Sequence, residues 1–388
     1  MPPLAHILLL RKDLFLHLGF TIHIISSMFR QNSKRESPEW KTIADHYPWT
    51  ESPLIVSAPM RLISTAPLAL SVSSNKGLGF LGVGTDVGTL SDLLKSTTQS
   101  LEDRKFSFKP GEVPYGILPV GIGFICWGAD LSAALAILKQ EPLKPAAVWL
   151  FAPKSDDELI QWVDGIRGVC DGKTKIWVQV GSVANALEVA RTCKPDVLVI
   201  QGADAGGHGL AQSCSIITLL PECADALKSE GFDDIVLIAA GGIMDGRGIA
   251  AALVLGADGV CMGTRFLAST EANISKGYRR DVIKAADGGT STMRTSVYDK
   301  VRGTDGWPET YNARGVLNHS FWDHAKGMDE EENKRLYEEA LKKGDDGWGE
   351  HGRLTTYAGT GVGFVKAEMS VVDIMNEVRQ GVRMRLEN

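Results

Sequence analysis

Between residues 54 and 266 one pattern of apolar and polar positions recurs along the chain. A short run rich in Val, Ile and Leu ends in glycine or another small residue, and an amphipathic stretch usually follows. The eight runs lie at 54–60, 78–84, 116–124, 146–152, 176–181, 196–202, 235–242 and 259–266. Near-continuous apolar strands imply burial on both faces, as in a parallel sheet covered by helices. The intervening stretches at 130–139, 156–169, 183–192 and 246–255 carry helical periodicity. Eight comparable strand–helix units predict an α/β fold, a closed (β/α)8 TIM barrel. A doubly wound open sheet is the competitor, but it does not require eight equal units.

In such a barrel the chemistry belongs on the loops after the C-terminal ends of the strands. The sixth run is followed by Gln201-Gly-Ala-Asp-Ala-Gly-Gly-His208-Gly, which places an imidazole among glycines at a strand end. Histidine exchanges protons near neutral pH, and flanking glycines let a ligand approach the backbone closely. The bland alternative is a turn with a solvent-facing histidine. Runs seven and eight end in Gly241-Gly242 and Gly263-Thr264, each leading toward a helix. Glycine turns at those two strands form the recurrent phosphate site of barrels, although helix caps also use glycine.

Gly77-Leu-Gly79-Phe-Leu-Gly82 matches the Gly-x-Gly-x-x-Gly dinucleotide fingerprint. That fingerprint follows a strand and opens a helix. Here it leads into a strand, so the match is rejected.

Composition narrows the partners. The 388 residues suffice for one large core or two ordinary ones, and 44% hydrophobic with 23% charged residues reads as soluble and globular. A net charge of −6 argues against a nucleic-acid surface. The six cysteines form no Cys-x-x-Cys pair, which fits a reducing compartment better than a disulfide framework or a zinc site. Residues 1–40 are treated as a non-core extension. Their apolar runs are broken by Arg11-Lys12-Asp13 and by His17 and His23 before reaching a spanning length, so no membrane span is expected. The expected location is cytoplasmic, with mitochondrial or other targeting left open by the extension, as is a true start at Met28.

Taken in order, Ala58-Pro59-Met60, the glycine-rich second strand, the Ala-Gly-Gly-His208 loop, Ala240-Gly-Gly-Ile243, Met262-Gly-Thr-Arg-Phe266 and Tyr357-Ala-Gly-Thr-Gly-Val-Gly-Phe364 resemble the nitronate monooxygenases, formerly called 2-nitropropane dioxygenases. The resemblance implies an FMN-dependent barrel over 41–270, closed by 359–388. It implies His208 as the active-site base, with Ala58 and Met60 bordering the flavin ring through backbone contacts. Gln179 and Gln201 would reach the ring or ribityl chain, and Gly207, Gly241, Gly242, Gly263 and Thr264 would hold the phosphate. Two features depart from the pattern of many members. Gln179 and Gln201 stand where Lys and Asp are common, and Gly121 and Gly123 stand where Asn is offered.

The implied reaction oxidises an alkyl nitronate or nitroalkane with O2 to a carbonyl compound and nitrite. His208 would remove the acidic α-proton and then pair with the nitronate. Asp204, on the same loop, could orient the ring or simply be solvated. Residues 271–358 leave the barrel rhythm and are expected to form a helical layer over its mouth, from which Tyr298, Arg302, Trp307, Tyr311 and Arg314 could line a substrate pocket. The alternatives are an NAD(P)H-dependent FMN reductase, resembling enoyl or quinone reductases, and an inactive flavin-binding accessory protein. The sequence sets neither the physiological substrate nor the oligomeric state.

Overall fold

The computed structural model describes residues 46–304, 306–349 and 351–386; the extension at 1–40 lies outside them. Eight parallel strands close a barrel in the order β1-β2-β3-β4-β5-β6-β8-β9. These are β1 (Leu54–Ser57), β2 (Leu78–Gly84), β3 (Ile117–Ile125), β4 (Lys144–Phe151), β5 (Lys175–Val180), β6 (Val197–Gln201), β8 (Val236–Ala240) and β9 (Gly259–Met262). Each matches one of the eight apolar runs. The barrel closes where Leu54 to Ser57 of β1 pair in register with Gly259 to Met262 of β9. β7 (Gly207–Leu210) stands outside the barrel, in a second sheet.

Period-two alternation divides the strand side chains between two apolar layers. Ile55, Leu81, Ile122, Val148, Ile176 and Leu198 face the surrounding helices. Val56, Phe80, Trp149, Trp177, Val199 and Ile238 fill the interior. Phe80 meets Trp149 edge-on at 5.3 Å, and Trp149 stacks on Trp177 at 5.8 Å. At the N-terminal end Tyr47 and Trp49 plug the barrel, and Trp177 Nε1 donates to Tyr47 Oη.

The glycines of β2 serve packing. A Cβ on Gly79 would lie 2.0 Å from the Ala69 carbonyl oxygen, and one on Gly82 would lie 2.2 Å from that of Met60. The helix Ala66–Ser74 and the turn after β1 therefore sit directly on the strand backbone. This gives the physical reason why the Gly-x-Gly-x-x-Gly match has nothing to do with a dinucleotide.

The stretch between β9 and the final helix Val371–Leu386 is not helical throughout. Besides the helices Lys276–Lys284, Val297–Arg302, His319–Ala325 and Glu330–Leu341 it contains β10 (Thr292–Thr295) and β11 (Tyr311–Val316). These two join β7 in a three-stranded antiparallel sheet of order β10-β11-β7. The histidine loop is thus partly a strand, with His208 opposite Ala313 and Gly207 opposite Arg314. Among the described residues no helix is long and apolar enough to cross a membrane. All six cysteines are free thiols.

Candidate active site

A cavity of about 930 Å³ opens at the C-terminal ends of the barrel strands, near the upper end of the range for small-molecule sites. Its floor comes from the barrel, including Ala58, Gly123, Gln179 and Gly263. Its cover comes from the later segment, including Tyr278, Arg302, Trp307 and Tyr357.

His208 lies in the wall between floor and cover. Its Nε2 is 2.9 Å from Asp299 Oδ1. That oxygen also accepts from Tyr357 Oη and from Thr304 Oγ1, both at 3.2 Å. Trp307 covers one face of the imidazole, with ring centroids 3.7 Å apart and planes 8° from parallel. Burial, together with Asp299, pushes the Tyr357 hydroxyl above its ordinary pKa despite the opposing Arg302, so the phenol stays protonated and donates. The strand bearing His208 is itself pinned. Gln201 Nε2 donates to the His208 carbonyl at 3.1 Å. Arg294 and Arg314, opposite each other on β10 and β11, both donate from Nε to the Ala203 carbonyl. Burial, followed by the neighbouring Arg314, lowers the Arg294 pKa to about 10.

The turns after β8 and β9 are not equivalent. Asp245 caps the helix Gly246–Val254 with its own carboxylate, accepting from the amides of Arg247 and Gly248. That helix end is therefore closed to a phosphate. The short turn Thr264–Leu267 has no side-chain cap. Before the capped helix, Gly241 and Gly242 take φ of +112° and +73°, values that L side chains rarely adopt. Among the described residues their amides donate to no protein acceptor. These free N–H groups, rather than the helix N-terminus, suit an anion.

A flavin fits the remaining polar atoms. Trp149 Nε1 can only donate, and it donates to Gln179 Oε1 at 3.1 Å. Gln179 Nε2 is thereby left buried with no protein partner, as is Trp127 Nε1; both residues line the cavity. Two buried donors without protein acceptors in the cavity lining suit a ligand with carbonyl or ring-nitrogen acceptors. Ala58 and Met60 line the same cavity, but their N–H groups are already used, by Met262 O and Ser64 Oγ. They can offer a ring shape rather than amide hydrogen bonds.

Ala58, Met60, Gln179, Gln201, Gly207, His208, Gly241, Gly242, Gly263, Thr264, Arg302 and Trp307 all line the one cavity. Three expected pocket residues do not. Tyr298 is fully buried and donates to the Val316 carbonyl, because it projects into the packing between its helix and β11. Tyr311 packs edge-on against Phe151, with its ring centroid 6.3 Å from that of Trp307. Arg314 is drawn to the carbonyls of Ala203 and Thr292. Asp204 does not orient the imidazole either, since its Oδ1 accepts from Thr360 Oγ1. No motif in the sequence marks Asp299, Thr304 or Trp127. Asp299 lies 91 positions from His208 in sequence and has no motif around it. The Tyr357-Ala-Gly-Thr-Gly segment is the one signal that this region returns to the site.

Residues 170–381 match the nitronate monooxygenase family. The chain is 45% identical over 353 residues to a nitronate monooxygenase of Metarhizium robertsii, covering 88% of this chain and 94% of that protein. It is 35% identical to a nitronate monooxygenase of Neurospora crassa, covering 88% and 92%. Among solved structures, FabK from Thermotoga maritima superposes with a TM-score of 0.67 at 23% identity, over 89% of this chain and 96% of that one, a likeness of fold. With both sequence matches spanning the barrel and its cover, the chain belongs to the nitronate monooxygenase family of flavin-dependent oxidoreductases.

Proposed function

We propose that this protein binds FMN and oxidises alkyl nitronates, and the nitroalkanes from which they form, with O2 to a carbonyl compound and nitrite. The observation that carries the reading is His208, held by Asp299 in the lining of a cavity that also presents unsatisfied donors. Gly241, Gly242, Gly263 and Thr264, with Gly207, would hold the phosphate through backbone amides. Ala58 and Met60 would border the ring, and Gln179 Nε2 would donate to it. Gln201 lines the cavity, but its amide serves the histidine strand. Bound flavin supplies a two-electron acceptor that can pass electrons to O2.

The chain's own residues supply the rest. His208 takes the α-proton of a neutral nitroalkane, and the resulting imidazolium faces the nitronate anion. Trp307 and Tyr357 cover the site and keep water from the charge pair, which strengthens it. Preformed nitronate needs no proton removal and depends on His208 only for charge pairing.

Anaerobic mixing of the yellow protein tests the reading. Bleaching of the flavin by ethyl nitronate, but not by NADPH, is expected. Bleaching by NADPH alone overturns it in favour of a reductase on the same barrel. Protein that carries no flavin and takes up no FMN overturns both.

A further inference from the structure

The partner of the histidine carries a consequence for which atom moves the proton. Asp299 is 4% exposed, and among the described residues His208 is the only basic side chain within salt-bridge distance of it. A buried carboxylate without Lys or Arg is unfavourable unless hydrogen bonds compensate, and three donors converge on its Oδ1. A carboxylate can only accept, so the hydrogen shared with His208 sits on Nε2. A neutral imidazole has one N–H. Its lone pair is therefore at Nδ1, which has no protein partner among the described residues.

We infer that Asp299 is a positioning residue for proton removal: it fixes His208 in the Nε2–H tautomer, leaving Nδ1 to take the substrate's α-proton. The inference rests on His208 being the base. During the step the substrate C–H electron pair stays on carbon as the nitronate, the proton moves to Nδ1, and the imidazolium charge forms beside the carboxylate. Asp299 does not take the proton; it stabilises the ring that does.

The surrounding charges favour this assignment. Asp204, on the loop before His208, is tied to Thr360. Arg294 and Arg314, on the strands that pair with the histidine strand, are directed to the Ala203 carbonyl. Arg302 stands beyond Tyr357, its guanidinium 5.3 Å from that ring's centroid. Tyr311 packs against Trp307 and Phe151. Among the described residues Asp299 alone offers an anion in hydrogen-bond contact with the imidazole.

The test uses the full-length flavoprotein and compares kcat and KM for nitroethane with those for preformed ethyl nitronate. Asp299→Asn is expected to lose at least about tenfold more activity on nitroethane than on the nitronate, in kcat rather than in KM. Asp299→Glu, which restores an anion for the ring to donate to, should return the nitroethane rate toward wild type. Equal loss on both substrates by Asp299→Asn overturns the role of Asp299. His208→Ala separates the two readings. If it keeps full nitroethane activity the base assignment itself falls, whereas loss there with an unchanged Asp299→Asn removes only the positioning role.

Discussion

His208 and Trp307 lie face to face, 3.7 Å between ring centroids, although one belongs to a strand beside the barrel and the other to the segment after the helix Val297–Arg302. The indole blocks rotation of the imidazole out of the plane that its hydrogen bond to Asp299 defines. Such an aromatic pair is worth about 0.5–1.5 kcal/mol beyond its buried area. Trp307→Ala should therefore lower kcat/KM for a neutral nitroalkane by up to about tenfold. Trp307→Phe, which keeps a flat face, should lose less. Both variants should retain flavin, as the absorbance spectrum will report; an unchanged rate in Trp307→Ala would mean the stack does not order the base.

The barrel was legible because each strand is buried on both faces and announces itself as an apolar run. β7 was not, since Gly-His-Gly-Leu has little strand propensity of its own and extends only because Tyr311–Val316 offers it a ladder. The same distance hid Asp299. Proximity in sequence pointed to Asp204, but tertiary packing delivers a carboxylate from the cover instead. Tyr298 misled for the opposite reason. It adjoins Asp299, yet one position along a helix turns a side chain by about 100°, here from the site into the packing against β11.

Gly123 leaves no room for a side chain beside the turn after β1. A Cβ at this position would lie 2.3 Å from Pro59 Cβ. The turn carrying Ala58 and Met60 occupies the space that a larger side chain would need. Gly123→Asn is expected to destabilise the protein by about 1–3 kcal/mol through overpacking. It should also lower flavin content, because the displaced turn borders the ring site. Thermal melting and the flavin-to-protein absorbance ratio check both effects. A variant that melts normally and holds flavin would show that the turn can yield.

Gln179 lines the cavity, and its carbonyl is committed to Trp149 Nε1. Gln179→Lys supplies a cation to the proposed flavin site but no acceptor for the buried indole N–H. Leaving that donor unpaired costs about 1–3 kcal/mol. The variant should melt at lower temperature. Its flavin midpoint potential should nevertheless rise, since a nearby positive charge favours the reduced anion. A potential that does not move would separate Gln179 from the flavin.

The cover has its own pH signature, set by Asp281 on the helix Lys276–Lys284. Burial raises the pKa of this carboxyl, against the hydrogen bond from Thr356 and the charges of Arg280 and Lys284. The native state then binds the proton more tightly than the unfolded chain does. Its contribution to stability is fully present below the ordinary carboxylate range, and it is lost as pH rises through the raised native pKa. Asn has the same shape, can accept from Thr356 and buries no charge. Asp281→Asn should thus melt higher than wild type at neutral pH, and the difference should vanish below about pH 4. Taking the difference between the two proteins cancels carboxylates shifted the other way, such as Asp103, Glu112 and Asp245. A variant less stable than wild type at neutral pH would mean that Thr356, Arg280 and Lys284 outweigh burial, and that the ionised carboxylate holds the cover in place.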